Sequence, residues 1–373
     1  MTRLLYYIEF AYLLIIAFIF SNAKIRRKQR EKLFLILSFI MLASVSACRF
    51  EWGARSDFYR NYNHAYAMLS VPWSQVFVFS EELLHPILRK IIVEVFRDPQ
   101  AYFFISSFFI VGCYLVITKR YSPDIYMGVI LFFCIGGYFS SHNITRQYVA
   151  IMITLLAWKY VIERKPWKYF LTILLAMGFH TAAVIVLPLY YLAGRRFNKN
   201  VLFGYTVFAA LIVVLNRPVL WLIQLVMYSG YGGGYGAESS NPLRLALVFI
   251  TVFCIWLLNR RNVPNPVHAC GEDTVKNLRL KNLICHGAVV YSIFALLSAV
   301  NMLMFSRVAS FFTACSMLAM QYGIESLGYR YNKRLMKLGL LAFAAAWFIL
   351  MNANGKLIPA VYTPFWEVTW RAV

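Results

Sequence analysis

Negative charge is what this chain has least of: 15 Asp and Glu stand against 37 Lys and Arg in 373 residues. Charge of either sign is thin, at 14% of residues against 61% hydrophobic, so there is far more apolar side chain than a water-soluble fold can hide. Asp-x-Asp, His-Glu-x-x-His and clustered cysteines are all missing, which removes the common divalent-cation and zinc motifs. A Walker loop and a Gly-x-Ser-x-Gly elbow are missing too, which argues against nucleotide hydrolysis and nucleophile-elbow acyl transfer. Seven cysteines, Cys48, Cys113, Cys134, Cys254, Cys270, Cys285 and Cys315, show no paired or metal-ligand spacing and read as small core residues. No metal and no cofactor is expected.

What is present is a recurrence of apolar runs of roughly 15–20 residues, the length that crosses a hydrocarbon core as a helix. The fold class is therefore all-α, a polytopic membrane bundle of about ten to twelve transmembrane helices, and not an outer-membrane barrel. The net charge of +22 would suggest nucleic acid in a soluble protein. Here the bases sit mostly in short loops between apolar runs, where they orient helices, and no nucleic-acid partner is expected. Arg3, an apolar stretch and Ser21 to Ala23 resemble a signal peptide. The cluster Lys24, Arg26, Arg27, Lys28 and Arg30 follows at once as a stop-transfer signal, so the segment reads as a retained first span.

Taking the dense basic loops as cytoplasmic puts 21–32, 118–123, 163–168, 194–200, 259–282 and 329–337 on one side. The opposite side holds the N-terminus, 49–99, a short turn at 140–145, 218–243, a turn near 301–307 and the tail from 352. Residues 169–193 join two basic loops with about 25 residues, enough for one crossing but not two. Either they form a broken or re-entrant pair of half-helices with His180 at the break, or one ordinary span that leaves Arg195 and Arg196 outside. The 49–99 stretch is expected to be an extracytoplasmic loop with amphipathic segments folded on the bundle. The Gly- and Tyr-rich 228–242 stretch reads as a flexible outer loop or lid.

Arg49, Arg55, Arg60, Arg146, Arg244 and Arg307 all fall at outer ends of these spans, against the positive-inside bias. A single such arginine is explained by snorkelling to the interface. A set of them suits a polyanion, because the guanidinium fork matches phosphate oxygens bidentately. Arg146 and Gln147 stand at the outer start of an apolar helix. Asp57, Glu82 and His180 are candidate bases for an attacking hydroxyl; the plainer readings are that the two acids pair with arginines and that His180 is a hydrogen-bonded core residue. The cytoplasmic loops are short and basic and carry no nucleotide motif, so a lipid-borne donor fits better than a soluble one.

Asn143-Ile-Thr-Arg-Gln-Tyr-Val-Ala150, a span, the basic turn Arg164-Lys-Pro, and Ala176-Met-Gly-Phe-His180-Thr-Ala-Ala resemble blocks of the EpsG-type family of polysaccharide polymerases, related in role to the Wzy O-antigen polymerases. Arg49 with Asp57 and a following Tyr, Glu82, Arg307-Val-Ala-Ser-Phe-Phe and Tyr362-Thr-Pro-Phe are weaker matches. Arg55 stands where the family often has Gly, and Glu82-Leu replaces a common Glu-Pro. The resemblance implies a bacterial inner-membrane glycosyltransferase that joins undecaprenyl-pyrophosphate-linked oligosaccharide units, donor and acceptor alike, into O-antigen, capsule or exopolysaccharide. It implies a metal-independent, inverting reaction on a bundle like the GT-C class. Chain-length regulator and flippase proteins would be partners, with membrane lipid around the bundle. The rival readings are a flippase or transporter of the lipid-linked unit, a ligase using the same donor chemistry, and a purely structural role, which leaves the outward arginines unexplained.

Overall fold

Long runs of Leu, Ile, Phe and Val with no internal Pro become helices, because in lipid every backbone polar group has to be satisfied within its own segment. The computed structural model describes residues 2–52, 57–79, 82–215, 218, 221, 243–260, 274–300, 303–327, 332–353 and 361–365. Arg55, Glu81, the 228–242 stretch, the side chain of Asp57 and residues 261–273 of the 259–282 loop lie outside the described residues. In chain order the elements are α1 (Thr2–Asn22), α2 (Arg27–Cys48), β1 (Arg49–Trp52), α3 (Asp57–Ala67), a 3-10 turn (Trp73–Phe79), α4 (Leu84–Phe96), α5 (Gln100–Tyr121), α6 (Ile125–Cys134), α7 (Gly137–Asn143) and α8 (Thr145–Leu156). There follow α9 (Trp158–Ile162), α10 (Pro166–Phe179), a 3-10 turn (Thr181–Val186), α11 (Leu189–Leu192), α12 (Lys199–Val214), α13 (Leu243–Leu258), α14 (Thr274–Val300), α15 (Leu303–Ser310), α16 (Thr313–Glu325), α17 (Lys333–Ala353) and β2 (Val361–Pro364).

The chain is a multi-pass membrane protein. Among the described residues α1, α2, α5, α14 and α17 are long and apolar enough to cross a membrane, and α6 with α7, bent by 45°, makes a sixth candidate. Residues 181–192, α12 and α13 are shorter apolar helices. Counting apolar runs gave about ten to twelve spans; several of those runs are divided between two short helices, as at α6/α7 and α10/181–192.

The chain divides into two compact units. The first comprises Met1–Lys119, Ile125–Met152 and Leu341–Val373. Its core is aromatic: Phe10 stacks on Phe133, and Phe348 of α17 packs against Phe10, Phe133 and Phe139. The α6–α7 bend turns on Gly136, whose φ of 99° is left-handed and suits glycine. At Gly137 a Cβ would come within 2.7 Å of the Phe132 ring, so a side chain there would displace the ring. The segment expected as a turn at 140–145 is thus mostly helix, with a break at Ile144.

The 49–99 stretch folds into short helices, one of which is inside out. α4 buries His85, Arg89 and Lys90 at 1%, 1% and 3% exposure and presents Ile91, Val95 and Phe96 at 45%, 68% and 58%. A helix on a soluble protein would do the reverse. Beneath it Phe50, Phe58, Tyr62, Ile92, Tyr102 and Phe103 form a core, with Phe365 packed against it. Among the described residues the sheet is one antiparallel pair, Arg49 opposite Pro364 through Trp52 opposite Val361, so residues after α17 close onto the start of this segment.

The second unit comprises Arg120–Asp124 and Ile153–Leu340. α13, α14 and α16 pack closely because small residues meet: a Cβ on Gly323 would lie 2.8 Å from the Cys254 carbonyl oxygen, and Gly287 faces Cys315. Buried Cys254, Cys285 and Cys315 are free thiols used as small packing residues. Lys337 reaches Glu325 at 2.7 Å and Asp124 at 3.0 Å, tying three connections at one end of the unit.

Candidate functional site

In α3 the helical spacing puts Arg60 and His64 on one face, four residues apart. In α4 the same spacing aligns His85 with Arg89. Arg146 is the second residue of α8, and Glu82 lies just before α4. All of these belong to the first unit, and they converge.

The guanidinium of Arg146 donates to Glu82 Oε2 at 2.6 Å, a pair whose side chains retain 16% and 8% of their exposure. Arg89 Nη2 donates to Asn61 Oδ1 at 3.2 Å and to the His85 ring at 3.1 Å, and its guanidinium lies 5.3 Å from the centre of the Tyr102 ring. His85 Nε2 in turn stands 2.9 Å from the Tyr102 hydroxyl. Burial lowers Arg89 to about 10; Arg146 pushes the same way, while Tyr102 and Glu82 oppose. Its charge is therefore fixed at neutral pH. His64, half-buried, is lowered to about 4, first by burial and then by Arg89, Arg60 and Arg146. Three guanidiniums from three elements thus act on one imidazole, which stays neutral at pH 7.

Arg49 lies apart from this group's face and is used within the protein. It is buried, and its Nη1 donates to the Ser46 carbonyl and, at 3.0 Å, to Ser46 Oγ. Its Nη2 donates to the His142 carbonyl at 3.0 Å, and the guanidinium lies 5.4 and 5.6 Å from the ring centres of Phe58 and Phe103, which pack on each other. Ser107 Oγ at 3.3 Å and Thr145 Oγ1 at 3.5 Å complete the set. One side chain thereby ties α2, α5, α7 and the first residue of α8, and so fixes where Arg146 begins. Gln100 Nε2 secures the same junction by donating to the carbonyls of Ala47 and Arg49 at 2.8 and 3.1 Å.

Of the residues picked out from sequence, Arg60, Glu82 and Arg146 come together. Gln147 is buried on α8 beside Arg146. Asp57 opens α3 on the same segment. His180, Arg244 and Arg307 belong to the second unit. His180 is buried and extended, at φ −160° and ψ 117°, between α10 and the 3-10 turn. Arg244 donates to Ser298 Oγ at 3.0 Å. Arg307 lies on α15, its carbonyl accepting from Ser310 Oγ.

Asn61, His64, His85 and Arg89 were not singled out from sequence. A signal existed: Leu84, Ile91 and Val95 recur on one side of the helix and, in a chain solvated by lipid, mark the outer face and assign His85 and Arg89 to the inner one. Among the described residues no group of three or more His, Cys, Asp and Glu is arranged to hold a metal ion.

Residues 32–360 match the family model described as the EpsG family. No curated protein and no solved structure matches.

Proposed function

The chain belongs to the EpsG family, a Wzy-like polymerase family and hence one of polysaccharide polymerisation in general, and from that premise we propose that it joins undecaprenyl-pyrophosphate-linked oligosaccharide units into O-antigen, capsule or exopolysaccharide at the outer face of the bacterial inner membrane. The observation that carries the reading is the grouping of three arginines on one segment: Arg60 four residues before His64 on α3, Arg89 bonded to Asn61 of α3, and Arg146 paired with Glu82 just before α4. Such a cluster suits a pyrophosphate, which a guanidinium binds through paired charge-assisted hydrogen bonds. The apolar outer face of α4 suits a donor that arrives in lipid.

In this reaction a hydroxyl oxygen of the acceptor unit forms a bond to the anomeric carbon of the donor. The carbon–oxygen bond to pyrophosphate breaks, and its electron pair leaves on polyprenyl pyrophosphate. The hydroxyl proton passes to a protein base, for which Asp57, Glu82 and His180 are the candidates. Of these, Glu82 accepts from Arg146 at 2.6 Å, which suits it to aiming the guanidinium. Arg60, Arg89 and Arg146 stabilise the charge that grows on the leaving group. Gln147, Arg244 and Arg307 are proposed contacts to the glycan and its carrier, and Arg49 acts by holding α8 in place. Attack opposite the leaving group inverts the anomeric centre. The N-terminus outside and a metal-independent site are part of the same proposal.

The test is purified protein given a synthetic polyprenyl-pyrophosphate repeat unit with and without chelator, its products separated as a ladder. The reading expects a chelator-resistant ladder that falls on the order of 10²-fold or more in Arg146→Ala. Translocation of that lipid in proteoliposomes with no ladder would replace polymerisation by lipid transport.

A further inference from the structure

Glu9 is fully buried in the middle of α1, a membrane-spanning helix, and the chemistry proposed above leaves it unused. A carboxylate in such a place needs a cation or several donors, and among the described residues no cation pairs with Glu9. Its neighbour is Tyr138 of α7, whose hydroxyl oxygen lies 2.8 Å from Glu9 Oε1 and also 2.8 Å from the carbonyl oxygen of Leu42 in α2. Both are full-length hydrogen-bond distances for oxygen pairs. A tyrosine hydroxyl has one hydrogen. The Leu42 carbonyl can only accept, so if both contacts are hydrogen bonds the Tyr138 proton belongs to that one. The remaining contact is a hydrogen bond only if the hydrogen comes from Glu9. Among the described residues the second oxygen, Oε2, has no hydrogen-bond partner, as suits the carbonyl half of an acid and not half of a charged carboxylate, which would attract donors.

We propose that Glu9 is a neutral carboxylic acid in the working protein and a positioning residue for the site. It donates to Tyr138, Tyr138 donates to Leu42, and this two-bond chain fastens α1, α2 and α7 at one point. The place matters because α7 follows the left-handed Gly136 bend and leads within a few residues to Thr145 and Arg146. On the other side of Tyr138, the His142 ring packs edge-on at 4.5 Å between centroids, and the His142 carbonyl accepts from Arg49. Glu9, Tyr138, His142 and Arg49 thus form one continuous support for the start of α8. The positioning role rests on the polymerase reading; the protonation state does not.

The experiment is infrared spectroscopy of the full chain in proteoliposomes, comparing wild type with Glu9→Gln and Tyr138→Phe. A protonated carboxylic acid carbonyl band should be present in the wild type, absent in Glu9→Gln, and shifted in Tyr138→Phe, where its acceptor is lost. A band identical in wild type and Glu9→Gln would overturn the proposal. Hydrogen exchange over 136–147 and polymerisation are read on the same samples. Glu9→Gln, whose amide N–H can replace the acid O–H, should match wild type in exchange and keep its ladder rate within about 2-fold. Glu9→Ala should exchange faster there and lose on the order of 10- to 100-fold in kcat with little change in KM, the signature of misplacement. A Glu9→Gln protein as loose or as slow as Glu9→Ala would overturn the neutral-acid role. A wild type without any ladder would defeat the polymerase reading while the infrared band still decided the state of Glu9.

Discussion

Glu82 and Arg146 are 64 positions apart in the chain and 2.6 Å apart in space. The pair is largely buried, so removing one partner leaves the other charge without compensation. Arg146→Ala should therefore cost about 3–5 kcal/mol of stability, and Glu82→Gln, which still accepts a hydrogen bond, clearly less; thermal unfolding in one detergent would rank them. His64 supplies a pH test. Its folded value, about 4, lies below the ordinary 6.5, so the unfolded chain takes up a proton first as pH falls. Its effect on stability is absent above about 6.5 and grows more destabilising from there down to about 4. His64→Gln should flatten that part of the curve, and an unchanged slope in the variant would show that neither burial nor the arginines lower this ring's affinity for a proton. Arg60, Glu82 and Arg146 were legible in sequence because charge at the end of an apolar run demands an explanation. Arg89 was not, because it lies inside an amphipathic run expected in an extracytoplasmic loop, where an apolar stripe would be read as facing inward.

At the scale of elements, α4 and the β1–β2 pair carry the geometry of the site. α4 turns its cations inward and its aliphatic side chains outward, an arrangement stable only where the outside is hydrocarbon. A fluorophore at a Val95→Cys position should accordingly be quenched by lipid-borne quenchers and spared by aqueous ones; the opposite result would put this face in water. Ile91→Lys would place a charge on that face and should lower the yield of folded protein in membranes. β2 covers one edge of β1, and Phe365 packs on the Phe58 and Phe103 core. Ending the chain after Ala353 should therefore loosen α3 and α4, read as faster hydrogen exchange in 57–96 with little change in α14. That the tail returns to residue 49 was invisible in sequence, since four-residue strands leave almost no periodic signal. The bend at Gly136 was hidden for a related reason: hydropathy runs smoothly through it.

For the whole molecule, composition and the apolar runs were enough for a helical membrane bundle, and the Asn143-Ile-Thr-Arg-Gln and Phe179-His180 blocks were enough to find the family that residues 32–360 match. The number of crossings was harder to read, because an apolar run of about 20 residues is compatible with one helix or with two bent halves. The supporting interior, Glu9 with Tyr138 and Arg49 with its hydroxyl and carbonyl partners, was also hidden, since it depends on which helices meet. Together these place an aromatic-backed support next to three arginines, Arg60 of α3, Arg89 of α4 and Arg146 at the start of α8. The central claim is that these arginines handle the pyrophosphate of a lipid-linked glycan. It is tested most directly by ladder formation from a synthetic polyprenyl-pyrophosphate repeat unit in Arg60→Ala, Arg89→Ala and Arg146→Ala, each checked for folding. The account predicts that every one of the folded variants loses polymerisation by on the order of 10²-fold, whereas folded variants that extend the glycan at the wild-type rate would contradict it.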